Sequence, residues 1–355
     1  MGLSNQNQEW NLIPAARIPG MRALSWQGDE LYVARGYEIL SARIHDPANL
    51  SWKPVATFVP GWKRRVTVSN RLTARLFRDG FHALTVLPSG GIVGAVAGAI
   101  VSLRRGETQF QVTHAVTRGT RPLHVTAAPS GLVFWGEYFD NPARDEVHIY
   151  ASTDAGATWQ IAHTFPKGAI RHVHNIVHDR WGDCLWILTG DYGDECRILR
   201  AACDLSQIEI IHQGNQQART VALVPTEDGI YFSSDTPLEQ NYIYHLSRSG
   251  NLTRLAPISS SSIYGCGVGD RVFFSAMVEP SQVNRDRFVR IYGRTPASGS
   301  WPSLLEWRKD RWPMRFFQYG NAFFPDGENT TPYLAVTTAA VQGEDQVTAF
   351  YRVRP

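Results

Sequence analysis

One unit recurs along this chain: an apolar strand, a Gly/Asp turn, a second strand ending in Gly or Ser plus an acid, a loop, and two more strands. A supersecondary unit repeated at a steady period limits the fold more than any composition does, because each copy buries its apolar face only against its neighbours. The units fall at residues 22–60, 82–116, 122–166, 172–214, 218–259 and 262–310. The unit at 172–214 shows the pattern well: HVHNIVHD, a turn at Trp181-Gly182, CLWILTGD, then CRILRAA and IEIIHQ. A seventh unit, 317–353, holds only three good strands, and the spare strand, EWNLIPAA at 9–16, stands at the other end of the chain. Pairing the two termini in one sheet closes a ring and removes exposed strand edges. The expectation is an all-β, seven-bladed β-propeller of four-stranded blades over 1–355, a single domain whose last blade is closed by the N-terminal strand. A β-sandwich is the competing fold. Residues 61–81 and 325–332 fit no blade and read as loops.

Lys and Arg (35) nearly balance Asp and Glu (32), a formal charge of +3, and no basic run interleaves with aromatics. That pattern excludes a nucleic-acid partner. No window of about 18 apolar residues exists, so no membrane span is expected. Met1–Trp10 is polar and lacks the apolar core of a signal peptide. A cytoplasmic monomer is the expectation, or an exported one whose signal peptide is absent from this sequence. Cys184, Cys196, Cys203 and Cys266 form no CxxC pair and are too sparse for a disulfide scaffold, so they read as free thiols.

One turn is far more specific than the others. Residues 151–160 read ASTDAGATWQ, in which Ser152, Asp154, Gly156, Thr158 and Trp159 match the Asp-box, S-x-D-x-G-x-T-W. Echoes occur at Ser51-Trp52 and at Ser298-Gly299-Ser300-Trp301. The element resembles that of the Asp-box (BNR-repeat) propellers, the sialidase-like superfamily of glycan-active proteins. In that likeness it is a structural turn between the third and fourth strands of a blade. Arg17-Ile18-Pro19 is similar to the Arg-Ile-Pro motif near the start of sialidases, which implies a substrate arginine at Arg17.

In a propeller the innermost strand starts on the face where the second strand ends, so residues at those two points converge on the mouth of the central channel. At the end of the second strand stand Glu137, Asp191, Asp235 and Glu279; just before an inner strand stand Arg121, Arg171, Arg219 and Arg315. The Arg-to-acid spacing is 16 residues for Arg121–Glu137 and Arg219–Asp235, and 20 for Arg171–Asp191. Salt bridges between blades would explain any one of these, but a ring of alternating Arg and carboxylate suits an anionic, polyhydroxylated ligand. The expected partner is therefore an acidic oligo- or polysaccharide. Substrate binding is assigned to Arg121, His124, Arg171, Arg219, Asp235, Glu279 and Arg315.

His172 and His174 lie two apart on an inner strand and share one face. They fit core histidines satisfied by backbone, a base with a charge neutraliser, or ligands of a metal with Asp191 or Glu195. Spacing fixes no third ligand, so neither metal nor cofactor is expected. Tyr138 and Tyr192 each follow a strand-end acid, and only one residue of each such pair need face the channel. Tyr beside a carboxylate is the pairing that retaining sialidases use as nucleophile and base. The same residue types suit β-elimination from a uronic acid, and propeller polysaccharide lyases resemble this chain in using His, Tyr and Arg at the channel mouth. The candidate catalytic residues are Glu137, Tyr138, His172, His174, Asp191 and Tyr192. The leading expectation is a sialidase-like glycoside hydrolase cleaving an acidic glycan. A uronate-specific polysaccharide lyase and a non-catalytic glycan- or protein-binding propeller are the alternatives.

Overall fold

The computed structural model describes residues 12–294 and 299–354. Seven sheets stand around a central channel, and in blades 2 to 6 each is a four-stranded antiparallel meander with its first strand innermost. Blade 1 contains strands Arg22–Gly28, Glu30–Arg35, Glu38–Arg43 and Lys53–Thr57. Blades 2 to 6 begin on inner strands Ala83–Val86, Thr126–Ala127, Val173–Asp179, Thr220–Thr226 and Ser262–Val268. Blade 7 runs from Asn321–Phe323 at the axis through Tyr333–Ala339 and Val347–Val353 to the N-terminal strand Leu12–Pro19 at the rim. That last pairing, from Leu12 opposite Val353 to Pro19 opposite Val347, closes the ring as expected. Residues 9–11 of the expected strand lie outside the described residues.

The strands form because β-branched and aromatic residues alternate between tight turns, and the blades hold because each buries both faces against neighbours. Leu24, Ile39 and Ala56 of blade 1 join Leu84, Ile92 and Val101 of blade 2 in one core cluster. Val173, Ile176 and Leu185 of blade 4 join Phe134 and Ile149 of blade 3 in another. The turn at 152–159 lies between the third and fourth strands of blade 3. Asp154 accepts from Ser152 Oγ at 2.8 Å, Thr158 N at 2.8 Å and Thr158 Oγ1 at 2.7 Å. Gly156 (φ 82°) presses on blade 2, where an added Cβ would meet Val93 at 2.6 Å. Trp159 donates to Thr113 Oγ1 of blade 2 at 3.2 Å. The echo at Ser298 falls outside the described residues.

Two segments read as loops carry structure. Residues 61–81 hold helices Trp62–Thr67 and Arg71–Phe77, six and seven residues long and too short to show a helical period. Arg75, buried, anchors this excursion to Asp310 (2.7 Å) and Asp345 (3.0 Å) at the adjoining blade 7. Within 325–332, Asp326–Asn329 is a strand that pairs in parallel with the inner strand of blade 1, giving that sheet a fifth member inside the channel. The inner edge of a propeller blade is an unpaired strand edge, and this segment satisfies part of one. Arg17 sits on the rim strand and pairs with Glu344 at 2.9 Å, so it does not reach the channel mouth, contrary to the expectation from Arg-Ile-Pro. No disulfide joins the four cysteines. No helix among the described residues is long and apolar enough to cross a membrane.

A candidate functional site at the channel mouth

The inner strand of blade 4 delivers His172 and His174 to the mouth, both buried. His172 Nδ1 faces the Phe139 carbonyl at 3.1 Å, and His174 Nδ1 faces the Thr220 carbonyl at 3.0 Å. A carbonyl only accepts, so each Nδ1 carries a proton, and in the neutral ring each Nε2 presents a lone pair. Those two Nε2 atoms stand 3.0 Å apart. Asp191 faces both, with Oδ2 3.4 Å from His172 Nε2 and Oδ1 3.4 Å from His174 Nε2. Burial opposes its charge, but when the imidazoles also carry a proton on Nε2 their hydrogen bonds and charges outweigh it and hold the carboxyl far below its usual range. Burial lowers His174, partly offset by Asp191.

The loop carrying Asp191 is wound around Glu195. Glu195 Oε1 accepts from Asp191 N at 3.1 Å and Tyr192 N at 2.8 Å, while Oε2 accepts from Arg144 Nε at 2.8 Å. Arg171 Nε stands 3.6 Å from the same carboxylate. Gly190 (φ 76°) lets this loop fold back, since a Cβ there would sit 1.9 Å from the Glu195 carbonyl. Tyr192, 40% exposed, lies over Arg171 and Arg219 with guanidinium-to-ring distances of 4.9 and 5.9 Å.

Arg219, just before the inner strand of blade 5, reaches Asp191 Oδ1 at 3.2 Å and Asp235 Oδ2 at 3.8 Å. Asp235 is buried, and burial with the Glu279 charge, against the pull of Arg219, raises its carboxyl to about 7. Tyr138 packs its ring on His172 (4.4 Å) and His174 (6.2 Å). Burial, reinforced by Asp191 and Asp235, pushes its phenol to about 12, so it stays protonated.

Glu137, the residue before Tyr138, points the other way. It takes a two-point contact from Arg118, Nε to Oε1 at 2.8 Å and Nη2 to Oε2, and accepts from His148 N at 2.8 Å. His172, His174, Asp191, Tyr138, Arg219 and Asp235 thus converge, with Glu279 acting electrostatically on Asp235. Glu137 is committed to Arg118. Arg315 lies on the one-turn helix Met314–Phe317, exposed and over the Phe316 ring at 5.7 Å.

Across the mouth, blades 1 to 3 gather positive charge. Burial and the nearby Arg78 and Arg22 lower Arg121 to about 9. Burial with Arg121 and Arg22 drives His82 well below its usual value. Among the described residues Arg22, Arg78 and Arg121 have no ion pair. Arg22 donates to the His82 carbonyl at 3.2 Å and lies over the Phe323 ring at 4.2 Å. A cavity of about 370 Å³ under the helical excursion is lined by Arg22, His82, Arg75 and Phe323. Deeper, His124 Nδ1 meets Asp326 at 3.1 Å on the strand inside the channel. The sequence reading missed Arg22 and Asp326. Arg22 opens an inner strand as Arg171 and Arg219 nearly do, so the repeat signal was present.

No protein-family profile matches the chain, and no curated protein matches it in sequence. Many solved structures share the fold. A catalytically inactive variant of virginiamycin B lyase from Staphylococcus aureus, solved with quinupristin, aligns with 100% of this chain and 99% of its own at 12% identity and a TM-score of 0.58. The WD40 β-propeller domain of Doa1 aligns over 96% of both chains at 8% identity and a TM-score of 0.54. An ancestral GH74 enzyme aligns with 94% of this chain and 45% of its own at 12% identity and a TM-score of 0.56. At these identities the likeness is one of fold.

Proposed function

We propose that this propeller is a carbohydrate-active enzyme that cleaves a glycosidic bond in an acidic oligo- or polysaccharide at the channel mouth, as a glycoside hydrolase. One observation carries the reading: a cluster of unpaired cations and a cluster of acid and base groups face each other across a single opening. Arg22, Arg78 and Arg121 leave positive charge unneutralised, which keeps the nearby His82 neutral and suits a carboxylate or sulfate of the substrate. Opposite them, Asp235 has a carboxyl near 7, fit to protonate a leaving oxygen. The Asp191–His172–His174 group supplies the basic centre that activates water. Two carboxyls driven apart by their surroundings are the usual signature of an acid and its basic partner. The exposed aromatics Phe77, Trp312, Phe316 and Tyr319 offer sugar-stacking surface on and beside the helical excursion.

The packing of Tyr138 on the histidine pair favours a second reading, β-elimination from a uronate, in which a protonated phenol serves the leaving oxygen. The test is a panel of sialylated, sulfated and uronate-containing glycans incubated with the purified chain. New reducing ends without ultraviolet absorbance support hydrolysis. Unsaturated, absorbing products support elimination and overturn the hydrolytic reading. Neither binding nor turnover overturns both.

A further inference from the structure

We infer that His172, His174 and Asp191 form a binding site for one first-row divalent transition-metal ion, of which zinc is the test case. The site stands on donor geometry and does not rest on the glycan reading. Both Nδ1 atoms are committed to carbonyls, of Phe139 and Thr220, so in the neutral rings two Nε2 lone pairs point at each other across 3.0 Å. Two lone pairs at that distance repel unless a cation lies between them. A proton would bridge one pair of acceptors only. Here three donor groups converge, because the two Asp191 oxygens each stand 3.4 Å from one Nε2.

An ion at a bond length of about 2.1 Å separates its ligands by about 3.0 Å at right angles and about 3.4 Å at tetrahedral angles. The observed 3.0 and 3.4 Å match those two values. The carbonyls on Nδ1 are the outer partners that metal-binding histidines ordinarily keep, fixing tautomer and ring orientation. Arg219 steadies the carboxylate at 3.2 Å. Two imidazoles and one carboxylate select zinc, manganese, iron, cobalt or nickel over magnesium and calcium. Three protein ligands leave positions for water or a substrate oxygen. Bound there, the ion would activate water, the work the proposed function assigns to this same group.

A second trio, His178, Asp183 and Cys203, also falls within reach of a common ion and is the natural competitor. It has a thiol; the site at the mouth does not. The experiment strips the full-length chain with a chelator and titrates it with zinc by calorimetry, without sugar. It then records the visible spectrum of the cobalt-loaded protein. The expected result is one ion per chain, at least a tenfold loss of affinity in His172→Ala and in Asp191→Asn, and no change in Cys203→Ser. The cobalt spectrum should lack a thiolate charge-transfer band, a readout that stands even if a mouth variant fails to fold. No zinc uptake, uptake untouched by folded His172→Ala, or a thiolate band abolished by Cys203→Ser would overturn the site. Failure here leaves glycan cleavage standing, and failure of cleavage leaves metal uptake standing.

Discussion

Arg118 grips both carboxylate oxygens of Glu137, and the next residue, Tyr138, is thereby the one turned toward the channel. The two neighbours should separate cleanly on mutation. Glu137→Ala leaves a partly buried arginine unpaired, and a loss of about 2–3 kcal/mol in denaturant unfolding is expected, with turnover of the folded protein within about threefold. Tyr138→Phe keeps the ring packing, so stability should stay within about 1 kcal/mol; turnover should stay within a few-fold if Asp235 protonates the leaving oxygen by hydrolysis, and fall about 100-fold if the phenol does so by elimination. The reverse pattern would return Glu137 to the chemistry.

Asp235 fixes a pH dependence. Its folded-state value, about 7, lies above the ordinary 3.8. Its favourable contribution is therefore complete below about pH 4 and is lost as pH rises through about 7. Stability should decline over that interval by up to about 1.4 kcal/mol per pH unit, and Asp235→Asn should remove the decline. If Asp235 is the general acid, turnover falls as pH passes 7, and the variant loses turnover while becoming no less stable at pH 8. Unfolding curves at several pH values, wild type against variant, check both.

Arg121 is a half-buried cation with no acidic partner among the described residues. Arg121→Met should raise the melting temperature, because an uncompensated charge leaves a place that resists it. The same change should weaken binding of an anionic glycan about tenfold or more and flatten its dependence on salt. A variant that is less stable yet binds unchanged would contradict the cation pocket.

The opposite rim should carry stability without activity. Asp179, fully buried at the far end of the blade 4 inner strand, accepts from Arg248 Nη1 at 2.5 Å and Trp186 Nε1 at 2.9 Å. Burial opposes its charge, but Arg248 and Trp186 outweigh it and hold the carboxyl below its ordinary 3.8. That stability is present above about pH 4 and is lost as pH falls through the lower folded value. Asp179→Asn should cost about 3 kcal/mol at neutral pH and blunt acid unfolding, with turnover of the folded protein unchanged.

The ring closure was legible because strand, turn and count are local signals, and Leu12–Pro19 supplied the strand that 317–353 lacked. Asp191, Asp235, Arg171 and Arg219 were legible because the repeat puts them at one geometric position blade after blade. Blade 1 has Arg35 where blades 3 to 6 have an acid, so an alignment made on acids passed over Arg22. The side of the strand on which Glu137 and Tyr138 fall depends on where pairing stops, which alternation alone leaves open. The entry of Asp326–Asn329 into the channel rests on pairing with Ser25–Gly28, some 300 residues away in the chain, and no local pattern announces it. The histidine pair was visible as a pair; its locked tautomers depend on the carbonyls of Phe139 and Thr220, which only the folded ring brings near.

The most direct test of the central claim is turnover of an acidic-glycan panel by wild type and by Asp235→Asn, read by release of reducing ends and by binding. The account predicts that wild type cleaves at least one acidic glycan. The variant should bind that glycan within a few-fold and cleave it about 100-fold or more slowly. Full activity in Asp235→Asn, or a wild type that neither binds nor cleaves any member of the panel, would contradict it.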